Sequence, residues 1–202
     1  MEFDNAVTKW INSFAGQMVT LDFLIVLVAN WGIFLLIAMI ALRWWSTHER
    51  EIARFGAVRC GLAVALGLLL NYFCSLFVHR IRPYDSGLTN LIVTRSGDPS
   101  FPSDHSTIVF AIAFSLLLRR DRYAILFLVG AILVGFSRIY IGTHYLSDVF
   151  GGAGTAFIAA VVVSAIYKEE SRLNKWVVKM LRAVAETRRF VTDVYYPSSS
   201  SS

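Results

Sequence analysis

Five stretches of nearly unbroken apolar residues, roughly 20 to 43, 57 to 78, 105 to 118, 123 to 141 and 145 to 167, dominate this chain. The hydrocarbon core of a bilayer is about 30 Å thick and takes about 20 helical residues to cross. Every stretch but the third has roughly that length, and the third is expected to continue past its charged end. With 56 % of 202 residues hydrophobic and only 16 % charged, the chain is too apolar for a soluble domain of its size. The expected fold class is all-α: a polytopic membrane helical bundle with about five or six transmembrane helices and flanking interfacial helices. One domain is expected over 1 to 197, and the serines of 198 to 202 form a low-complexity tail outside it.

The flanks differ from the spans. In residues 3 to 14, Phe3, Val7, Trp10, Ile11 and Phe14 recur at helical spacing opposite Asp4, Asn5, Lys9 and Asn12, the pattern of a helix lying in the membrane interface. Residues 168 to 190 repeat the pattern with a basic polar face. Residues 1 to 17 lack the basic start, apolar core and cleavage site of a signal peptide, so the first span is expected to direct insertion. Cys60 and Cys74 share one apolar segment and read as small hydrophobes.

The net charge of +5 does not point to nucleic acid, because most Lys and Arg lie in short loops and the tail, where topology and anionic lipid explain them. The loop after the first span holds Arg43, Arg50, Arg54 and Arg59, and the third loop holds Arg119, Arg120 and Arg122. The positive-inside rule makes these regions cytoplasmic. Residues 79 to 104 and the turn near 142 then face outward, and His79, Arg80, Arg82, Ser103, His105, Arg138, His144 and Asp148 all fall at that one face. Ionisable residues retained beside a membrane span mark a functional site more often than a scaffold.

The chemistry follows from residue types. Ser103 or Asp104 can cap the third span, and the free amides of a helix start bind anions. Arg82 and Arg138 add planar donor forks suited to phosphate oxygens. His144 and Asp148 stand one helical turn apart, so the carboxylate can orient the imidazole. Two histidines in a phosphate cradle suggest covalent phosphoryl transfer, one as nucleophile and one as acid and base.

Ser137-Arg138, His144 and Asp148, at this spacing, match the third signature of the type 2 phosphatidic acid phosphatase (PAP2) family. Pro102-Ser103-Asp104-His105 resembles its second, and Arg82-Pro83 the end of its first. The resemblance spans roughly residues 55 to 165 and implies that His144 attacks phosphorus, that Asp148 fixes its tautomer, and that His105 protonates the leaving oxygen and then activates water. It also implies that Arg82, Arg138 and Ser103 stabilise charge on the phosphoryl oxygens without a metal or cofactor. The chain shows no clustered carboxylates or histidine pair at metal-ligand spacing.

Two positions depart from the family pattern. Ser75 stands where the first signature has lysine, and His79, Arg80 and Arg95 are candidates to supply that charge, Arg80 foremost. Asp104 stands where the general family has glycine, an acid unfavourable beside phosphate unless it turns away, caps the helix or is protonated. The Phe-Pro-Ser-Asp-His variant resembles the branch that acts on undecaprenyl pyrophosphate, the spent carrier lipid of bacterial wall synthesis. That implies a multi-pass protein of the bacterial inner membrane with a site facing the periplasm or cell exterior, where His79, Arg80 and Arg95 would contact the second phosphate. Phosphatidylglycerophosphate, phosphatidate or transfer to another lipid would use the same chemistry. A lipid transporter or lipid-binding protein would use the basic cluster without it.

Overall fold

A computed structural model describes residues 1–44 and 50–168. Its described residues form six helices: α1 (Glu2–Asn12), α2 (Val19–Trp44), α3 (Arg50–Phe77), α4 (Asp104–Leu118), α5 (Ala124–Tyr140) and α6 (Leu146–Ile166). Residues 1–165 make one compact unit, and a second, from 166 to 202, is described only to Lys168. The surface helix expected over 168 to 190, the serine tail, Trp45 and His48 therefore lie outside the described residues.

All five apolar stretches are helical, but they are not equivalent. Val19–Trp44, Ile52–Phe77 and Leu146–Ile166 are long and apolar enough to cross a membrane, whereas α4 and α5 have 15 and 17 residues. At 1.5 Å per residue, α4 reaches only about 22 Å. The expected continuation of the third span does not occur. Arg119 caps α4, Arg120 takes a left-handed φ of 54°, and the chain turns straight into α5. Asp121 explains the sharp stop: its carboxylate accepts from Tyr123 N–H at 2.9 Å and receives the Arg43 fork at 3.1 and 2.7 Å.

A short α4 is workable because it is the core helix. Val109, Ala111 and Ala113 are completely buried, and α3 and α5 are its principal packing partners. Its polar start can therefore sit below the bundle rim, roofed by loops. Gly152 lets α6 approach there, since a Cβ would stand 2.5 Å from the Ser103 carbonyl oxygen. Gly151 meets the Phe101 ring in the same way, whereas Gly154 faces open space and is exposed.

The basic end also differs in detail. Helix α3 begins at Arg50, so Arg54 and Arg59 lie on a helix and not in a loop, and Arg59 is buried against the Ser164 hydroxyl. Arg and Glu are good helix formers, and a helix can extend past the hydrocarbon where water satisfies its charges.

Helix α1 occupies the other end. Phe3 and Trp10 are 76 % and 65 % exposed, as expected of an apolar face meeting lipid, while Thr8, Ile11 and Asn12 are buried. Asn12 donates to the carbonyls of Tyr140 and Asn90, and Thr8 accepts from Leu146 N–H. Asp22, expected at the interface, accepts from Gly16 N–H and from the Tyr140 hydroxyl.

Candidate active site

Between α5 and α6 the chain reverses in five residues. Gly142, with φ of 83°, permits the turn, and a side chain there would collide with the Asn90 carbonyl at 2.6 Å. The amides of Thr143 and His144 both donate to the Arg138 carbonyl, at 3.1 and 3.3 Å. Arg138 and His144 are thus brought together by their own backbone. Asp148, in the first turn of α6, accepts from Tyr145 N–H at 2.8 Å, which ties that carboxylate to the helix start.

A second connection, residues 78–103, folds over the start of α4. Its turn is closed by hydrogen bonds from Asp85 and Ser86 N–H to the Arg82 carbonyl. The Tyr84 hydroxyl donates to Ser96 O at 2.6 Å and accepts from Ser96 N–H, pinning the far limb. Tyr84 shapes this loop, as the turn chemistry after Pro83 suggests.

These parts enclose a cavity of about 350 Å³ whose lining includes Arg82, Asp98, Asp104, His105, Arg138 and His144. Four predicted site residues, Arg82, His105, Arg138 and His144, converge there from the loop, α4, α5 and the turn. Arg82 is almost wholly buried and donates to the carbonyls of Asp98 and Thr143 and to the Asp98 carboxylate. The buried Nε of Arg138 has no hydrogen-bond partner. An unpaired guanidinium donor in a buried site is costly, and here it lines an open cavity beside a second arginine.

His144 is 3 % exposed. Its Nδ1 lies 2.9 Å from the Ser100 carbonyl oxygen, an atom that can only accept, so Nδ1 carries the proton. Nε2 then carries the lone pair, and it accepts from Arg82 Nη1 at 3.4 Å. Burial holds the imidazole below its ordinary pKa of 6.5; Asp148 opposes this, and Arg138 and Arg82 add to it. The Asp148 carboxylate stands 3.6 Å from Nδ1, so the Ser100 carbonyl is the nearer acceptor and the carboxylate the farther one. Asp148 acts one step back. Its Oδ2 accepts from the Ser100 hydroxyl at 2.5 Å and its Oδ1 from Arg80 at 2.8 Å, and it is completely buried.

Three other predicted residues are not in the cavity lining. Ser103 is buried as the cap of α4, its hydroxyl oxygen accepting from the Ser106 N–H and hydroxyl. His79 is exposed. Arg80 is turned away: it is bonded to Asp148, Ser147 and Asp4 and stacked 3.7 Å from the Tyr145 ring centroid. Neither residue reaches the place left by the missing lysine, where Ser75 itself lines the wall, and Arg95 pairs loosely with Asp85 at the surface.

Several residues of the site were not singled out from the sequence. Asn71 donates to the Asp104 carboxylate at 2.7 Å, which turns that acid onto the α3 wall. A lone amide inside an apolar span was the available signal. Asp98 sits in an irregular loop and Ser100 acts through its carbonyl, so neither carries a signature in residue type or spacing.

The same arrangement of helices occurs in the crystal structure of a PAP2-type phosphatidylglycerolphosphate phosphatase from Bacillus subtilis, with a TM-score of 0.63 and 24 % identity over 85 % of this chain and 87 % of that one. Undecaprenyl-diphosphatase BcrC of Bacillus subtilis is 27 % identical over 180 residues, 89 % of this chain and 90 % of the relative. An undecaprenyl-diphosphatase of Sulfolobus acidocaldarius is 31 % identical over 153 residues, 74 % of this chain and 71 % of the relative. The family model of the PAP2 superfamily matches residues 56–172, the segment that supplies Arg82, His105, Arg138, His144 and Asp148, and the chain belongs to that superfamily.

Proposed function

We propose that this membrane phosphatase hydrolyses undecaprenyl diphosphate to undecaprenyl phosphate and inorganic phosphate, with His144 as nucleophile. The observation that carries the reading is the pair of guanidinium groups, of buried Arg82 and half-buried Arg138, with an orphaned Arg138 Nε, lining one cavity with a histidine whose Nε2 is unprotonated. Two positive forks and a lone pair are what a phosphoryl group needs in order to be held and attacked.

In the first step the Nε2–P bond forms as the bond from the terminal phosphorus to the bridging oxygen breaks. A proton from the His105 imidazolium goes to that oxygen, and undecaprenyl phosphate leaves. In the second, a water oxygen attacks phosphorus, the N–P bond breaks, and the water proton passes to His105. Arg82 and Arg138 hold the equatorial oxygens throughout, so the charge stabilisation comes from side chains. The substrate assignment is supported by the names of the two relatives above and by the Asp104 variant of the second signature. The basic end of the bundle, marked by Arg43 and Arg119 to Arg122, faces the cytoplasm of a bacterial inner membrane, which turns the cavity outward.

Phosphatidylglycerophosphate is the second reading, favoured by the solved structure of like fold. Phosphate release from both lipids by purified protein in excess chelator, for wild type and His144→Ala, separates them. Turnover of undecaprenyl diphosphate by wild type alone supports the proposal. Preference for phosphatidylglycerophosphate replaces the substrate, and equal release by both proteins removes His144 from the mechanism.

A further inference from the structure

The polar side of α1 is spent on the turn that carries His144. Asp4 accepts from Ser147 N–H at 2.9 Å, from the Ser147 hydroxyl at 2.6 Å and from Arg80 Nη2 at 2.6 Å. Arg80 Nη1 continues to Asp148 Oδ1 at 2.8 Å and to the Ser147 hydroxyl at 2.5 Å. The backbone of Arg80 joins the same construction, because its carbonyl accepts from Ser100 N–H at 2.9 Å. Both groups beside Nδ1 of His144, the Ser100 carbonyl and the Asp148 carboxylate, are therefore tied to one residue.

We propose that Arg80 and Asp4 are positioning residues for the nucleophile: Asp4 of α1 clamps Arg80, and Arg80 holds Ser100 and Asp148 so that the His144 imidazole presents Nε2 to the cavity. The inference rests on His144 as nucleophile and goes beyond it, assigning a part in the reaction to an amino-terminal helix outside the three signatures. It also gives Arg80 a different task from phosphate contact. Its side chain is 23 % exposed, and its guanidinium is already bonded to two carboxylates and a hydroxyl and covered on one face by Tyr145. A fork so fully engaged has little left for a ligand.

The charge logic gives a signature that simple destabilisation lacks. The groups facing His144 are Asp148 from α6, Arg138 from α5, His105 from α4, and Arg82 with Asp98 from the loop. Removing the Arg80 cation leaves the Asp148 carboxylate uncompensated beside the imidazole, which favours imidazolium. Nucleophilic competence is then lost at higher pH than in the wild type.

The experiment uses the full chain in lipid nanodiscs, with Arg80→Gln, Arg80→Lys, Asp4→Asn and the double variant Asp4→Asn/Arg80→Gln. Phosphate release from undecaprenyl diphosphate is measured against pH. Arg80→Gln is expected to lower kcat about 100-fold, the scale of misplacing a reacting group by an ångström. KM should stay within a few-fold, and the acid limb of the profile should move up in pH. Arg80→Lys recovers part of kcat, and the double variant is no worse than Arg80→Gln, because the two residues act as one unit. A rise in KM at unchanged kcat overturns the proposal in favour of phosphate contact. Loss of active protein with an unchanged profile overturns it in favour of a merely structural role. Nitrogen NMR of labelled histidines, assigned with His144→Gln, reads the same prediction without substrate: the His144 titration must move up in pH in Arg80→Gln. If the wild type releases no phosphate from this lipid, the substrate reading fails, while an unmoved His144 signal still sinks the positioning role.

Discussion

The Asp98 carboxylate is bonded to Arg82 inside the cavity, its Oδ2 2.8 Å from Nη2. Side-chain exposure is 59 % for Asp98 against 5 % for Arg82, so the acid lies at the mouth and the base at depth. An incoming phosphate meets an arginine whose charge is already partly answered. Asp98→Asn is expected to tighten competitive inhibition by inorganic phosphate about 3- to 10-fold, the size of one exposed charge interaction near 1 kcal/mol. Burial pushes the Asp98 carboxyl up, but bonds from the Ser96 hydroxyl and Arg82 outweigh it, and it titrates below its ordinary 3.8. The inhibition constant of the wild type should therefore carry no Asp98 titration between pH 5 and 8. Weaker inhibition in Asp98→Asn would show instead that Asp98 holds Arg82 in place.

The tautomer of His144 is set by a main-chain atom, which predicts an unequal pair of variants. His144→Ala should abolish phosphate release. Asp148→Asn should leave more activity than the loss of about 10⁴ seen where a carboxylate alone fixes a catalytic histidine, because the Ser100 carbonyl stays in position. The comparison is kcat for the two purified variants, and equal loss in both would place the tautomer under Asp148 after all.

Burial and two nearby arginines keep His144 neutral below its ordinary 6.5, and this has two consequences of known sign. On the proposed mechanism His144 remains competent as pH falls through 6.5, so the acid limb of kcat/KM is expected below that value. The unfolded chain takes up a proton at about 6.5 that the folded chain refuses, so the unfolded state binds more protons there. This contribution to stability is present above 6.5 and declines as pH falls below it. Thermal unfolding in detergent at pH 7.5, 6.5 and 5.5 should show the decline, and His144→Gln should flatten it.

Contact between α6 and α4 at Gly152 can be tested against its neighbour Gly154. Gly152→Ala places a methyl group against the Ser103 carbonyl and is expected to destabilise by about 1 to 3 kcal/mol, the usual effect of overpacking. It should lower kcat as well, because it pushes Asp148 away from the start of α4. Gly154→Ala meets open space and is expected to stabilise by about 0.5 to 1 kcal/mol through helix propensity. Thermal midpoints and phosphate release for both variants decide the matter.

Much of this arrangement was legible in the residues, and the exceptions share a cause. His105, Arg138 and His144 are legible together because each lies in or beside a helix terminus, and helix ends are fixed by hydrophobic length, whereas Arg82 is legible through the Arg-Pro of the first family signature. Arg80 and His79 were grouped with them by nearness in sequence, yet residues 78–103 have no helical or strand period to say where a side chain points. Ser100 works through a carbonyl, which every residue possesses. The halt of α4 at Leu118 is not legible in the sequence because its length is set by packing of a largely buried helix within the protein, whereas a lipid-facing span is measured against the bilayer. Asn71 was the avoidable omission.

The clamp between α1 and the His144 turn has a meaning for the order in which the chain is made. Asp4 is synthesised 143 residues before the Ser147 amide that it accepts from. Until the turn after α5 and the start of α6 have been made, Asp4 has Arg80 but lacks its Ser147 partner, and the arginines of the cavity lack the His144 imidazole beside them. Assembly of the last helix both completes the site and locks the first helix down, so the completed fold and the working enzyme arrive together.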